Sequence, residues 1–140
     1  MEMEIEHVAL NVPDPAAMAR WYVEQLGMRV VVGNDSPPYA HFLADSAGHV
    51  MLEIYRNPPD DVPDYGARHQ LQFHIAFVSS DPPADRRRLE AAGATFVEDI
   101  HLPDGGYLVT MRDPWGVPLQ FVRRGRALGQ PLARPSAAAR

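Results

Sequence analysis

The sequence predicts an α+β fold built from two copies of a βαβββ unit, and three observations support this prediction. Short apolar runs with strand-like alternation are separated by turns, as expected for a chain with 14 prolines and 10 glycines among its 140 residues. Two segments carry the start and stop signals of helices. The order of strand, helix and three strands then occurs a second time, with the same motifs at equivalent positions.

The first unit is predicted to occupy residues 1–56. Its helix follows Asp14, a carboxylate suited to the N-cap, and Pro15, which fits the first helical position. Apolar residues then recur every fourth position until Gly27, which fits a C-cap. The predicted strands of this unit are residues 4–12, 28–33, 39–45 and 49–56.

The second unit is predicted to occupy residues 70–124, after a polar, proline-rich linker at residues 57–69. Its helix follows Asp81 and Pro82, which repeat the capping signal of the first helix, and it ends at Gly93. The predicted strands of this unit are residues 70–79, 94–100, 107–112 and 117–123.

The duplication is supported by the positions of the motifs. Three pairs of motifs lie 67 positions apart: His7-Val8-Ala9 and His74-Ile75-Ala76, Asp14-Pro15 and Asp81-Pro82, and Leu52-Glu53-Ile54 and Leu119-Gln120-Phe121. The offset changes by one residue at turns, where Gly27 corresponds to Gly93 and Gly48 to Gly116. Slips confined to turns are typical of a duplicated structural unit.

Composition and charge exclude several classes of protein. The chain has no cysteine, which excludes disulfides and thiolate metal sites. Its net charge of -5 argues against nucleic acid as a partner, and the arginines at 86–88 are interpreted as a solvated helix face. No basic signal segment or membrane-length apolar stretch is evident, so a cytoplasmic protein with no membrane partner is expected.

Four polar residues stand out because they occupy repeat-equivalent positions inside predicted strands. They are His7, Glu53, His74 and Gln120, and each lies on the face opposite the apolar residues of its strand. A lone strand histidine or glutamate is usually exposed or hydrogen-bonded. Two imidazoles and a carboxylate at matched positions, with an amide oxygen as a fourth ligand, instead favour one divalent metal ion, which is Zn, Ni, Co, Mn or Fe.

Other polar and aromatic residues carry weaker predictions. Asn11 shares the face of His7 and Tyr55 shares that of Glu53, so both are predicted to bind substrate or orient ligands, with ordinary cavity lining as the alternative. Trp115 is expected to pack at a turn, whereas the remaining strand and loop histidines are expected at the surface. The histidines in question are His41, His49 and His101.

The sequence resembles the glyoxalase, bleomycin-resistance and extradiol-dioxygenase superfamily, also called the vicinal oxygen chelate superfamily. The resemblance covers about residues 4–124 and rests on the segments HVALNVPD at 7–14, HIAFV at 74–78 and RDPWG at 112–116. It implies that the two units form a curled eight-stranded mixed sheet around a metal-binding cleft. It also implies one metal ligand from each of the first, fourth, fifth and eighth strands, which here are His7, Glu53, His74 and Gln120.

The resemblance leaves the reaction open. Metal-dependent glyoxalase I members usually carry a carboxylate at the last ligand position, where this chain has Gln120, which cannot take a proton. Methylmalonyl-CoA epimerases read His, Gln, His, Glu in strand order, whereas this chain reads His, Glu, His, Gln. Extradiol dioxygenases, like this chain, use two histidines and one glutamate. Glu53 is the sole carboxylate of the set and is therefore predicted to act as both ligand and catalytic base.

Three functions follow from the resemblance. The first is a metal-dependent, glyoxalase-like lyase or isomerase that binds the vicinal oxygens of a small substrate. The first alternative is a non-haem iron extradiol-type dioxygenase. The second is a non-catalytic, bleomycin-type drug-binding resistance protein, and the complete ligand set disfavours this second alternative. A homodimer is expected, with the metal site either within one chain or between two. Residues 125–140 are expected to form a C-terminal arm that is flexible or lies along the partner subunit.

Overall fold

The computed structural model describes residues 1–128 and contains two βαβββ units in the predicted order, which confirms the α+β fold. The first unit consists of β1 His7–Asn11, α1 Pro15–Leu26, β2 Arg29–Gly33, β3 His41–Ala44 and β4 Met51–Tyr55. The second consists of β5 Ile75–Val78, α2 Pro82–Ala91, β6 Thr95–His101, β7 Tyr107–Arg112 and β8 Pro118–Arg123. Most of the predicted C-terminal arm lies outside the described residues. Neither described helix has the length and apolar character needed to cross a membrane.

Each unit forms its own four-stranded mixed sheet with the same topology. The strand orders are β1-β4-β3-β2 and β5-β8-β7-β6, with a parallel pair at β1 and β4 and at β5 and β8. The registers also match, since Ala9 pairs with Glu53 in the first sheet and Ala76 pairs with Gln120 in the second. The two proposed ligand positions on β4 and β8 are therefore structurally equivalent.

Both helices begin with the predicted capping arrangement. The side chain of Asp14 accepts a hydrogen bond from the backbone N–H of Ala17 at 3.1 Å, and Asp81 does the same for Ala84 at 3.1 Å. Helix α1 ends at Gly27, which adopts the left-handed conformation with a φ of 68°. These contacts fix where the chain leaves β1 and β5 and so help to position the histidines that precede each helix.

The fifth strand is shorter than predicted. The sequence predicts a strand over residues 70–79, whereas β5 begins at Ile75 and residues 70–72 form a turn. In this turn the backbone N–H of Leu71 donates to the ring of His69 at 3.1 Å, and that of Gln72 donates to the His69 carbonyl at 3.0 Å. Local hydrogen bonds thus replace strand pairing, and His74 stands immediately before the strand rather than inside it.

The two units share one hydrophobic core on the helix side of both sheets. Leu52 and Ile54 of β4 and Leu119 of β8 belong to the same cluster of buried residues. Because side chains alternate along a strand, Glu53 and Gln120 each lie on the face of their own sheet that is directed away from this core. The proposed ligand face of each sheet is therefore the face that the shared core leaves uncovered.

Contacts between α1 and the second unit hold the two units together. The indole N–H of Trp21 donates to the carbonyl of Ala92 at 2.8 Å, and its ring meets that of Trp115 edge-on with centroids 6.5 Å apart. The hydroxyl of the fully buried Tyr22 donates to the carboxylate of Asp113 at 2.7 Å. Trp115 packs at its turn as predicted, and a buried hydrogen bond joins the two halves of the molecule.

A close backbone approach at the turn between β7 and β8 makes a glycine necessary. We expect Gly116→Ala to destabilise the protein by about 2–4 kcal/mol, because the φ of +88° disfavours a Cβ and that Cβ would lie 2.7 Å from the backbone N of Gly66. Gly48→Ala is the matched control, since Gly48 also has a positive φ but open space around it, and it should cost only about 1 kcal/mol. Urea unfolding measures both values, and equal losses would contradict the crowding argument.

Candidate metal centre

The first half of the candidate site is a contact between His7 and Glu53. The Nε2 atom of His7 lies 3.2 Å from Oε2 of Glu53, and its Nδ1 atom lies 2.9 Å from Oε1 of Glu6. The Glu53 side chain is 18% exposed and that of His7 is 35% exposed. The two residues of the pair lie on the neighbouring parallel strands β1 and β4. The ring of Phe42 packs edge-on against the imidazole of His7, with the ring centroids 5.5 Å apart.

This geometry fits a pair of metal ligands. Cations bind imidazole nitrogen and carboxylate oxygen at about 2.0–2.2 Å, which places neighbouring ligand atoms roughly 2.8–3.6 Å apart across octahedral and tetrahedral sites. The 3.2 Å between Nε2 of His7 and Oε2 of Glu53 lies in this range. If Nδ1 carries the proton and donates to Glu6, Nε2 presents its lone pair beside the carboxylate, as a ligand must. An imidazolium that donates to both carboxylates would satisfy the same distances.

In the second half of the candidate site, the histidine is placed in the same way relative to its strands. His74 precedes β5 as His7 begins β1, and its Nδ1 lies 3.0 Å from the carbonyl of Gln70, so that Nε2 is left free. His7 pairs with Met51, which is two residues before Glu53. Ile75 pairs with Leu119, so His74 lies level with the residue two positions before Gln120. Both histidines are therefore oriented by an acceptor at Nδ1, the arrangement typical of metal-binding imidazoles.

The two halves do not form one cluster within the described part of a single chain. Residues 1–128 contain no group of three or more His, Cys, Asp or Glu side chains placed to hold a metal ion. The shared core includes residues from the faces of both sheets opposite the ligand faces, so the ligand faces are directed away from it. His7, Glu53, His74 and Gln120 accordingly remain predicted ligands, of which the structure brings the first two into contact.

Asn11 has a clear structural role. Its amide N–H groups donate to the carbonyls of Pro58 at 2.9 Å and Asp61 at 3.1 Å, and its side-chain oxygen accepts from the N–H of Asn57 at 2.8 Å. These three bonds hold the start of the linker against the end of β1. Tyr55 lies opposite Asn11 in the strand pairing and is half-buried. Substrate binding by these two residues stays a prediction.

The linker also contacts the ligand face of the second sheet. The guanidinium group of Arg112 donates to the carbonyls of Tyr65 at 2.9 Å and Arg68 at 2.6 Å. The amide of Gln70 donates to the carboxylate of Glu98 in β6 at 3.1 Å. Glu98 pairs with Thr110 of β7, which in turn pairs with Gln120 of β8. Arg112, Glu98 and Gln120 are at alternate, paired positions that share one face of the second sheet, and Gln120 on this face is 7% exposed.

Two residues near the site are not identified by the sequence analysis, and one histidine away from the site is buried against expectation. Glu6 contacts His7 but lies outside the repeated motifs, so no pattern marks it. Thr110 lies beside Gln120 and is fully buried. His41, expected at the surface, is only 8% exposed, because β3 places it under α1, and its Nδ1 lies 2.7 Å from the carbonyl of Tyr39. The surface prediction for His41 is therefore wrong.

A groove of about 910 Å³ lies between the two units, near His74. Side chains of both units line it, including Val8 and Leu52 of the first sheet and Ile75 and Phe77 of the second. Most of its lining is apolar, and Arg88 and Asp85 provide charges among the lining residues. A groove of this size and character can accept a small organic molecule.

Comparison with known proteins identifies relatives along nearly the whole chain. A lactoylglutathione lyase of Haemophilus influenzae is 27% identical over 127 residues, which cover 86% of this chain and 92% of the relative. The crystal structure of SMU.1112c is 30% identical with a TM-score of 0.67, and the match covers 88% of this chain and 100% of that chain.

A further solved structure shows the same fold at lower identity. TnmS3, an antibiotic binding protein from Streptomyces sp. CB03234, is 18% identical with a TM-score of 0.68, and the match covers 88% of this chain and 97% of that chain. The sequence profile of the Glyoxalase/Bleomycin resistance protein/Dioxygenase superfamily matches residues 4–121. Since this match spans both βαβββ units, the chain belongs to the Glyoxalase/Bleomycin resistance protein/Dioxygenase superfamily.

Proposed function

We propose that the protein is a metal-dependent, glyoxalase-like lyase or isomerase that acts on a small substrate with two neighbouring oxygens. The observation that carries the proposal is the 3.2 Å contact between Nε2 of His7 and Oε2 of Glu53, with the other ring nitrogen held by Glu6. Superfamily membership and the similarity to a lactoylglutathione lyase support the same reaction class.

Each residue has a distinct part in this proposal. His7 and His74 would hold the cation through Nε2, and Glu53 and Gln120 through side-chain oxygens. When bound, the cation supplies Lewis-acid stabilisation of a developing oxyanion. Of the four side chains, Glu53 alone is an anion that can accept a proton, so it would remove the substrate proton and return it. Gln120 holds its oxygen in place without competing for that proton.

We propose further that two copies of the chain complete the site. Within one chain the ligand faces point away from the shared core, so a second copy can bring the second sheet of one subunit over the first sheet of the other. The exposed edge strand β2, the exposed Val78 of β5 and the exposed His7 support a surface that is covered on assembly. A homodimer would then hold two equivalent sites.

A second candidate function is the binding of a small apolar molecule without catalysis. The groove of about 910 Å³ between the units favours it, because apolar side chains dominate its lining. The fold that the chain shares with TnmS3 is compatible with such a role. A binder of this kind would need neither His7 nor Glu53 for its affinity.

Metal content and metal-dependent activity distinguish these functions. We expect the purified protein to contain about one divalent ion per chain by elemental analysis, and the ion to be removed by chelation. Activity on the hemithioacetal of methylglyoxal and glutathione, a standard vicinal-oxygen substrate, should return on adding Ni²⁺, Co²⁺ or Zn²⁺ without oxygen uptake. Iron-dependent oxygen uptake with a catechol would select the dioxygenase function, and tight drug binding by metal-free protein would select the binder.

A further inference from the structure

An unpaired buried hydroxyl group lies on the ligand face of the second sheet. Thr110 is in the middle of β7 and has no exposed surface. Among the described residues, its Oγ1 is the buried side-chain polar atom that makes no hydrogen bond. Buried polar groups are almost always paired, because an unpaired one destabilises the fold, so this hydroxyl requires an explanation.

The residue directly opposite Thr110 is Gln120. The two are paired across the antiparallel strands β7 and β8, an arrangement that places their Cβ atoms about 4.5–5.5 Å apart. Both side chains lie on the face away from the core, because Val109 and Met111 on either side of Thr110 point into the core. The amide of Gln120 keeps a little solvent exposure, at 7% for the residue, and is not among the buried polar atoms that lack a partner. A buried, unpaired hydroxyl therefore faces an amide that still has access to solvent.

An incoming molecule cannot reach the Thr110 hydroxyl, so a neighbouring side chain is the available partner. Thr110 itself is inaccessible, whereas Gln120 beside it retains 7% exposure. The amide of Gln120 has an oxygen end and an NH₂ end, and only the oxygen end binds a cation. A hydrogen-bond acceptor beside the NH₂ end would decide which end faces the cleft.

We propose that Thr110 is a positioning residue: when Gln120 turns its Oε1 toward the cation, its Nε2 would donate to the Thr110 hydroxyl, which has no partner in the structure described, and this bond would hold the amide in the binding orientation. The inference rests on the proposed function, which makes Gln120 a metal ligand. The first sheet supports it by contrast: the residue opposite Glu53 is Phe42, which offers no side-chain hydrogen bond. A carboxylate presents an oxygen at either end and needs no such partner, whereas an amide does.

The test is a double-mutant cycle read out as Co²⁺ affinity. Metal-free, full-length wild type, Thr110→Val, Thr110→Ser, Gln120→Glu and the Thr110→Val/Gln120→Glu double variant are each titrated with Co²⁺. We expect Thr110→Val to weaken Co²⁺ binding roughly 10-fold and Thr110→Ser to remain within about twofold of wild type. In the Gln120→Glu background the Thr110→Val substitution should have no effect, because the carboxylate needs no orientation.

Each outcome decides the proposal. Equal Co²⁺ affinity of wild type and Thr110→Val, or the same loss in both backgrounds, overturns the role of Thr110 and leaves the proposed function standing. A wild type that binds no Co²⁺ overturns both. Thermal unfolding of the metal-free variants provides the structural control: Thr110→Val should be at least as stable as Thr110→Ser, and a lower melting temperature would assign the hydroxyl to the fold instead.

Discussion

Replacing Glu53 by glutamine is expected to lower the affinity for divalent metal by roughly 100-fold or more and to abolish turnover. Glu53 is the one carboxylate among the four proposed ligands, and it lies 3.2 Å from Nε2 of His7. The substitution keeps the shape of the side chain but removes both its charge and its ability to take a proton. Calorimetric titration of metal-free protein with Ni²⁺ or Co²⁺ measures the first effect, and steady-state kinetics the second.

Glu6→Gln is the matched control for this substitution. Glu6 contacts the same imidazole from the other side, but its side chain is 73% exposed and glutamine still offers an acceptor to Nδ1 of His7. Its effect on metal affinity should be no more than about 10-fold. Wild-type affinity in Glu53→Gln would remove Glu53 from the ligand set, and equal losses in both variants would indicate general electrostatics rather than coordination.

The Glu53→Gln variant also tests whether two chains share each site. Mixing it with a His74→Ala variant and exchanging subunits produces heterodimers. If the first unit of one chain meets the second unit of the other, each heterodimer regains one intact site and activity recovers to about half of the wild-type value per heterodimer. If each site lies within one chain, no activity returns. The result is independent of which metal the protein holds.

The largest expected effect on stability comes from Asp113→Ala. One carboxylate oxygen of Asp113 accepts from the backbone N–H groups of Trp115 and Val117, both at 2.9 Å, and the other accepts from the hydroxyl of Tyr22 at 2.7 Å. Alanine would leave three donors unpaired at a site with 3% exposure, which should cost about 3–5 kcal/mol in urea unfolding. Asp113→Asn, which retains an acceptor and the shape, should cost much less.

Asp113 also makes stability depend on pH. Burial raises its pKa from the ordinary 3.8 to about 6, although the hydrogen bonds from Tyr22 and Val117 oppose this rise. The folded protein therefore binds this proton more tightly than the unfolded chain, so the stabilisation is present in full below pH 3.8 and is lost as the pH rises to about 6. At about 1.4 kcal/mol per pH unit, the change is on the order of 3 kcal/mol.

The comparison with Asp113→Asn isolates this contribution from the other carboxylates. Between pH 7 and pH 4.5, wild type should gain stability relative to Asp113→Asn, because only wild type can take up the proton at this position. The two proteins are unfolded in urea at a series of pH values. Parallel stability curves over this range would show that the carboxylate of Asp113 is ionised without penalty.

The repeat in the sequence was sufficient to predict the order of the elements and the equivalence of the two sheets. Capping motifs correctly predicted the starts of both helices, because a cap depends on residues close together in the chain. Asp14 and Asp81 cap their helices as predicted. The contact between His7 and Glu53 follows from the parallel pairing of β1 with β4, which the fold class implies. These features depend on residue type and order along the chain, and a sequence displays both.

Register and packing were not available from the sequence. A four-residue turn at 113–116 would pair Arg112 with Val117, whereas the structure pairs it with Pro118. This difference of one residue decides whether Thr110 and Gln120 lie on the same face of the sheet. The predicted strand at 70–79 contains β5 but begins too early, because hydrogen bonds to His69 favour a turn at residues 70–72. Which faces of the two sheets share a core depends on tertiary contacts that no local pattern specifies.

The hydrogen bond between Tyr22 and Asp113 and the interior that surrounds it have a consequence for cooperativity. The buried residues of both halves form one cluster, and Tyr22 of α1 is hydrogen-bonded to Asp113 in the second half. Denaturation should therefore proceed in a single step, in which both repeats are lost together. Two repeats of like topology are thus expected to behave as one folding unit.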